Sequence, residues 1–171
     1  QSITHDCVVV VKSTVPVGTN DKVELFFKEN PKSKVNVFVV SNPEFLSQGT
    51  AVNDTLFAKR IIIGSENETA ISIMKEIYRP FNIPMVIVDR RTAEMIKYAC
   101  NDFLALKISY MNDIANICDL VGADVEGVKR GMSYDPRIGD KFLNAGIGYG
   151  GACFPKDTNA LYHYAKNNFG Y

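Results

Sequence analysis

The chain of 171 residues has no excess of charge of either sign: 19 lysines and arginines stand against 19 aspartates and glutamates. Without a basic stripe, nothing electrostatic argues for nucleic acid or an anionic membrane as partner. No apolar run approaches the roughly 20 residues that span a bilayer, and the first residues, Gln1 to Asp6, lack the basic and then apolar blocks of a signal peptide. A cytoplasmic protein with neither kind of partner is the expectation. The four cysteines, Cys7, Cys100, Cys118 and Cys153, include no CxxC pair and lie far apart. Neither a zinc site nor a disulfide framework is indicated, no metal is expected, and the thiols read as reduced. Histidine is scarce as well, with only His5 and His163, and neither makes a recognisable base for a cysteine. That argues against a self-contained thiol hydrolase.

What is present is enough for a buried core, with 46% hydrophobic and 22% charged residues. Cys7 to Val11 is a continuous β-branched run, the pattern of a strand buried on both faces of a parallel sheet. Lys12 to Gly18 breaks it. A helix is predicted from Thr19 to Glu29 with Val23, Phe26 and Phe27 inward, then a strand over Val35 to Val40. The rhythm repeats with a strand over Arg60 to Gly64, a helix from Glu68 to Tyr78 with Ile71, Met74 and Ile77 inward, and a strand over Met85 to Val88. Alternating strands and helices predict an α/β unit with a doubly wound parallel sheet over residues 1–88. In such sheets ligands lie outside the carboxyl ends of the strands, where Ser13, Thr14 and the run Asn42 to Leu46 fall. No GxGxxG follows a first strand, so the sheet is expected to begin partway and the chain to be a segment of a longer protein.

Residues 89–171 read as helical. Thr92 to Val121 holds neither proline nor glycine and predicts one helix of roughly 45 Å, closed by Gly122. Ile96, Cys100, Phe103, Met111, Ile114, Cys118 and Val121 form the expected buried stripe, and Ala99, Leu106 and Ala115 a second packed side. Two apolar sides on so long a helix make it a candidate subunit interface. Lys97 and Asn101 project together, one turn apart, beside Ala93 and Ala105, which are small enough to admit a ligand. A short helical turn over Asp124 to Met132 and a loop carrying Arg137 follow, with a guanidinium suited to two-pronged binding of a phosphate or carboxylate. A last helix is predicted from Lys156 onward.

Just before that helix, four glycines crowd the seven residues that precede Cys153, in Gly146-Ile-Gly-Tyr-Gly-Gly-Ala-Cys153. A backbone stripped of side chains lets a ligand lie against it beside the thiol. Pro155, Lys156 and Asp157 follow at once, a setting for a reactive cysteine rather than a packed one.

The motifs Lys12 to Gly18, Ser41 to Leu46, Ala93 to Asn101, Arg137 to Leu143 and Gly148 to Asp157 stand in an order and spacing that resembles the nucleotide-sugar 6-dehydrogenases, the UDP-glucose/GDP-mannose dehydrogenase family. The stretch Phe142 to Tyr149 favours its UDP-glucose branch, and Phe154, where GDP-mannose enzymes tend to carry leucine, points the same way. The resemblance implies the second half of a Rossmann-like NAD-binding domain, followed by an all-helical central region that dimerises on its long helix. It implies two successive NAD-dependent oxidations at the sugar C6, giving UDP-glucuronate for polysaccharide synthesis. Cys153 would capture the intermediate aldehyde. Lys97 and Asn101 would stabilise the developing oxyanion, Glu44, relayed through Thr14, would handle the hydrolytic water, and Asp157 would assist proton movement near the thiol. The nucleotide sugar would meet Glu44, Phe45, Leu46, Gln48, Lys97, Asn101, Arg137, Asn144, Gly148, Tyr149 and Gly150. NAD would meet Ser13, Thr14, Gln48, Cys153 and Lys156. Many members carry glutamate where this chain has Gln48. The 171 residues alone are expected to be catalytically silent, the pyrophosphate turn and the C-terminal domain lying outside them.

Overall fold

A computed structural model describes residues 3–30, 35–47 and 49–171. In chain order the elements are β1 (Cys7–Val11), α1 (Thr19–Glu29), β2 (Val37–Ser41), α2 (Ala51–Leu56), β3 (Ile61–Gly64), α3 (Glu68–Tyr78), β4 (Met85–Val88), α4 (Arg90–Val121), α5 (Val125–Ser133) and α6 (Cys153–Phe169). Contacts divide the chain into two units, Gln1–Lys97 and Tyr98–Tyr171.

In the first unit the strands lie in the order β1-β2-β3-β4. β1 and β2 run parallel, with Cys7 opposite Val37 and Val11 opposite Ser41, so the loops after both strands leave from the same edge. β3 and β4 are also parallel, from Ile61 opposite Met85 to Gly64 opposite Val88. Between the pairs the direction reverses: β2 and β3 are antiparallel through Ser41 and Gly64. The Rossmann-like α/β class holds, but the sheet is mixed rather than wholly parallel. The connection from β2 to β3 carries one short helix, the six residues of α2.

Val40, Ile61, Ile63, Ala70, Met74 and Ile83 form the core between sheet and α3. Asn67 starts α3 by accepting the Ala70 amide at 2.9 Å, and Ile71 and Met74 are buried as the spacing predicts. Ile77, expected inward, is exposed, as is Phe26 on α1. Each lies past the arc of its helix that the narrow sheet covers; Val23 and Phe27 on α1 are half-buried.

Asp89 opens α4, its carboxylate accepting the Thr92 amide at 2.8 Å and hydroxyl at 2.5 Å. Those two bonds, the hydroxyl first, hold its pKa below the ordinary aspartate value. Gly122 closes the helix in the left-handed region (φ 72°), and the Ala123 amide donates back to the Cys118 carbonyl at 3.0 Å. The buried face differs from the expected stripe. Ala93, Glu94, Lys97, Tyr98, Asn101, Ala105, Met111 and Cys118 are buried, whereas Phe103, Leu106 and Val121 are at least 60% exposed. Ala99 is also exposed, and Ile96, Cys100, Ile114 and Ala115 are half-buried. Polar side chains that find partners took the inner face, and hydrophobicity alone could not reveal that. Ala93 is small for a different reason than admitting a ligand. It is fully buried, and a Cβ added to Gly64 would come within 2.4 Å of its own Cβ.

In the second unit Asp124 caps α5 by accepting the Glu126 and Gly127 amides at 3.0 and 2.9 Å. The loop between α5 and α6 is pinned to α4: Lys107 donates to the Ile138 carbonyl at 3.0 Å and the Gly146 amide donates to the Asn112 side chain at 2.7 Å. Helix α6 begins at Cys153 rather than at Lys156. Pro155 does not delay it, because a proline in the first turn gives up an amide that has no intrahelical partner anyway.

Candidate functional site

Two clusters hold the predicted residues, one in each unit. In the first, Asn42 is the buried hub from which the loop Pro43 to Leu46 departs. Its amide donates to the Val11 carbonyl at 2.9 Å and its side-chain nitrogen to the Ile62 carbonyl at 2.7 Å. Its side-chain oxygen accepts from Lys12 Nζ at 2.9 Å and the Tyr78 hydroxyl at 2.5 Å. One residue thus ties β1, β3 and the end of α3 to the start of the loop. Two residues on, Glu44 Oε1 pairs with Lys97 Nζ at 3.3 Å, and Oε2 accepts the Leu46 amide at 2.6 Å. Lys97 is 4% exposed and its ammonium sits 5.2 Å from the centre of the Phe45 ring, with the Arg60 guanidinium 4.3 Å from that centre. A buried ammonium paired with one carboxylate and one aromatic face is a donor held ready for a negative oxygen.

A cavity of about 260 Å³ lies against this loop, bounded in part by Lys12, Asn42, Glu44, Phe45, Arg60 and Tyr78. After β1, Ser13 is exposed and Thr14 half-buried. Their hydroxyls have no hydrogen-bond partner among the described residues, which leaves them free for a polar ligand at the carboxyl end of the strand. Gln48 lies outside the described residues.

In the second unit Asp157 is 1% exposed. It accepts from Asn101 Nδ2 at 2.6 Å and is paired with the Lys156 ammonium. The next residue on each helix repeats the tie, Thr158 donating its hydroxyl to Asp102 at 2.9 Å. Adjacent residues of α4 therefore grip adjacent residues of α6 and fix both its register and its rotation. Cys153, one turn before Asp157, is exposed and is the first residue of α6, the helix end that favours negative charge. Gly148 (φ 135°) and Gly151 (φ 80°) shape the approach with backbone angles that other residues rarely adopt. The Phe154 ring packs edge-on against Phe142 and Tyr149, with centres 6.0 and 6.5 Å apart. Asn144, Gly148, Tyr149 and Gly150 are exposed along this loop. Arg137 is exposed too, and its guanidinium already grips Asp135 with Nη2 at 2.6 Å and Nε at 3.0 Å. That grip holds the Asp135 carboxyl below its ordinary pKa, so an incoming anion has to compete for it.

Glu94 is a further polar residue on α4, unmarked by its immediate neighbours in the sequence. Its carboxylate, 3% exposed, accepts the Gly18 amide at 2.5 Å and the Asn20 amide and side-chain nitrogen at 2.8 and 2.6 Å. The available signal was helical register, since Glu94, Lys97 and Asn101 fall on one stripe of α4. Asn42 and the Asp102–Thr158 pair gave no comparable signal.

The fold defines a class: a Rossmann-like α/β unit followed by an all-helical unit. Residues 1–82 match the model of the UDP-glucose/GDP-mannose dehydrogenase family NAD binding domain, and residues 91–170 that of the same family's central domain. The chain belongs to that family, and NAD is the cofactor implied by the first match. UDP-glucose 6-dehydrogenase YwqF of Bacillus subtilis is 55% identical over 165 residues, covering 96% of this chain and 38% of its own length. A UDP-glucose 6-dehydrogenase of Rhizobium meliloti is 53% identical, covering 94% of the chain and 38% of its own length. Among solved structures, a UDP-glucose dehydrogenase from Pyrobaculum islandicum superposes with a TM-score of 0.90 at 39% identity, over 95% of this chain and 38% of that one. A GDP-mannose dehydrogenase from Pseudomonas aeruginosa, over 94% of this chain and 38% of its own, gives 0.71 at 34%. The chain thus spans well under half the length of these relatives.

Proposed function

We propose that the full-length protein oxidises UDP-glucose to UDP-glucuronate in two NAD-dependent steps, through a covalent adduct on Cys153. The observation that carries this reading is the exposed Cys153 thiol at the first residue of α6, one turn from an Asp157 held by Asn101 and Lys156. The identity of 55% and 53% to proteins named UDP-glucose 6-dehydrogenases supports the choice of sugar nucleotide. NAD, when bound, accepts a hydride in each oxidation; Ser13, Thr14, Gln48, Cys153 and Lys156 are the residues that hold it in this reading.

Lys97 and Asn101, one turn apart on α4, donate to the oxygen on C6 and stabilise it as negative charge develops. Once C6 is an aldehyde, the Cys153 thiolate adds to it. The resulting hemithioacetal loses a second hydride and becomes a thioester. Glu44, with Thr14 as relay, orients and deprotonates the water that cleaves the thioester, releasing the acid and the thiol, while Asp157 manages the proton near sulfur. Glu44, Phe45, Leu46, Gln48, Arg137, Asn144 and the Gly148 to Gly150 backbone bind the nucleotide sugar. A homodimer through the exposed apolar stripe of α4 completes the reading. The four cysteines carry no disulfide, which suits a cytoplasmic setting, and no helix among the described residues is long and apolar enough to cross a membrane. Glucuronate for polysaccharide synthesis is the product's proposed use.

The test is NADH formed per UDP-glucose by the full-length protein, run to completion. Two equivalents are expected, with Cys153→Ser making no acid. NADH from GDP-mannose but not UDP-glucose overturns the substrate, and NADH from neither overturns the dehydrogenase.

A further inference from the structure

Helix α1 has no cap of its own. Its first position, Gly18, offers no side chain, and no neighbouring side chain in sequence takes its place. The cap comes instead from Glu94, on the first turns of α4 and more than 70 residues away. The Gly18 and Asn20 amides both end on that one carboxylate, which satisfies orphan donors at the helix end that attracts negative charge. Asn20 adds its side-chain nitrogen while its own oxygen stays buried without a partner, so its orientation is set by the carboxylate alone.

The geometry points to Glu94 as a positioning residue for the cofactor side of the site. The loop Lys12 to Gly18 is fixed at one end by β1. At the other end it is fixed by Glu94 and by Thr19, whose amide and hydroxyl donate to the Pro16 carbonyl at 3.0 and 2.5 Å. Ser13 and Thr14 hang between these anchors. Glu94 stands three residues before Lys97 on α4, so one buried carboxylate sets the distance between the loop that meets NAD and the helix that carries the cation for the sugar oxygen. Arg90 and Arg91 also join α4 to α1, through Asp21 and Glu24. Asp21 lies in the same first turn, but a guanidinium only donates and so cannot cap the Gly18 and Asn20 amides.

This inference rests on the NAD-dependent reading above. Its test compares steady-state constants of the full-length protein with those of Glu94→Gln, whose amide nitrogen would face either the Gly18 amide or the two Asn20 donors, since each oxygen of the carboxylate now accepts one set. A rise of about tenfold in KM for NAD is expected, with KM for UDP-glucose changed less than about twofold, because misplacement of a positioning loop weakens what the loop itself holds. Glu94→Asp, which keeps the charge, should recover part of the loss. Arg91→Ala should lower the melting temperature and leave KM for NAD unchanged. An equal rise in KM for NAD in Arg91→Ala, or equal rises for both substrates in Glu94→Gln, would mean general loosening and overturn the inference. If Glu94→Gln does not fold, Asn20→Ala, which removes one of the three bonds, decides by the same constant: a selective rise supports the role and an unchanged value sinks it. An inactive parent protein would instead remove the dehydrogenase reading.

Discussion

Gly64, at the end of β3, has no room for a side chain. An added Cβ would meet the Ala93 Cβ at 2.4 Å and the Arg90 Cα and Asp89 carbonyl at 3.1 Å, and both helix and strand are anchored there. Gly64→Ala is therefore expected to destabilise the first unit by about 1–3 kcal/mol through overpacking, read as a lower melting temperature. A melting curve unchanged by the substitution would show that strand and helix separate more easily than their packing implies. At this scale the members of the candidate site are legible as residue types and spacings. Cys153 stood out because glycines and charges surround it, and Lys97 with Asn101 because they repeat at one helical turn. Asn42 reads only as the first residue of a loop at the ligand-facing edge, since its four hydrogen-bond partners come from β1, β3, α3 and Lys12 and no local pattern shows a long-range hub. The sequence marks Asp157 only as a neighbour of the thiol, while its bond to Asn101, 56 positions away, becomes visible only once the helices are packed.

Among the elements, α1 and α4 are joined by charge as well as by Glu94. Arg90, 13% exposed, reaches Asp21 at 3.1 Å and Glu24 at 2.8 Å. The Arg90 hydrogen bond is the largest of the influences that lower the Glu24 pKa. A carboxyl whose folded pKa lies below its ordinary value, about 4.3 for free glutamate, contributes fully above that value, and the contribution drains away as pH falls through the lowered one. Arg90→Leu should cost about 1–2 kcal/mol at neutral pH. The gap from the parent should narrow in melts taken progressively below pH 4.3, and a gap independent of pH would show that Arg90 acts by packing alone. Element boundaries were well marked in the sequence. β1, α1, α3 and β4 begin and end where their apolar periods and flanking breakers predict. The inward face of α4 was not, because its period is shared by an apolar stripe and a polar one, and Glu94, Lys97 and Asn101 won the buried side by having partners there.

For the molecule as a whole, the apolar stripe left outside is the informative part. Phe103, Leu106, Tyr110, Ile117 and Leu120 are each at least half exposed along α4, and they follow alternating steps of three and four residues with Asp113 as the one polar interruption, the spacing of a helix that packs against another helix. If the proposed homodimer forms through this stripe, Phe103→Glu combined with Leu106→Glu converts it to monomers in sedimentation velocity; a dimer that survives would place its contact elsewhere. The division into an α/β half and a helical half was readable from composition and rhythm. The reversal between β2 and β3 was not, for it rests on one long-range pairing, Ser41 with Gly64, that the residues of the strands do not announce. That reversal has a further consequence. Because the chain leaves the sheet at Ser41 and re-enters it at Ile61, with Asn42 clasping the Ile62 carbonyl, the connection between them has both ends already closed. Lengthening it costs only the slow logarithmic penalty of a larger ring, about 0.6 kcal/mol per doubling. Variation could therefore accumulate in its outer half, reshaping what lies against Phe45 and Arg60, while the sheet beneath kept its register.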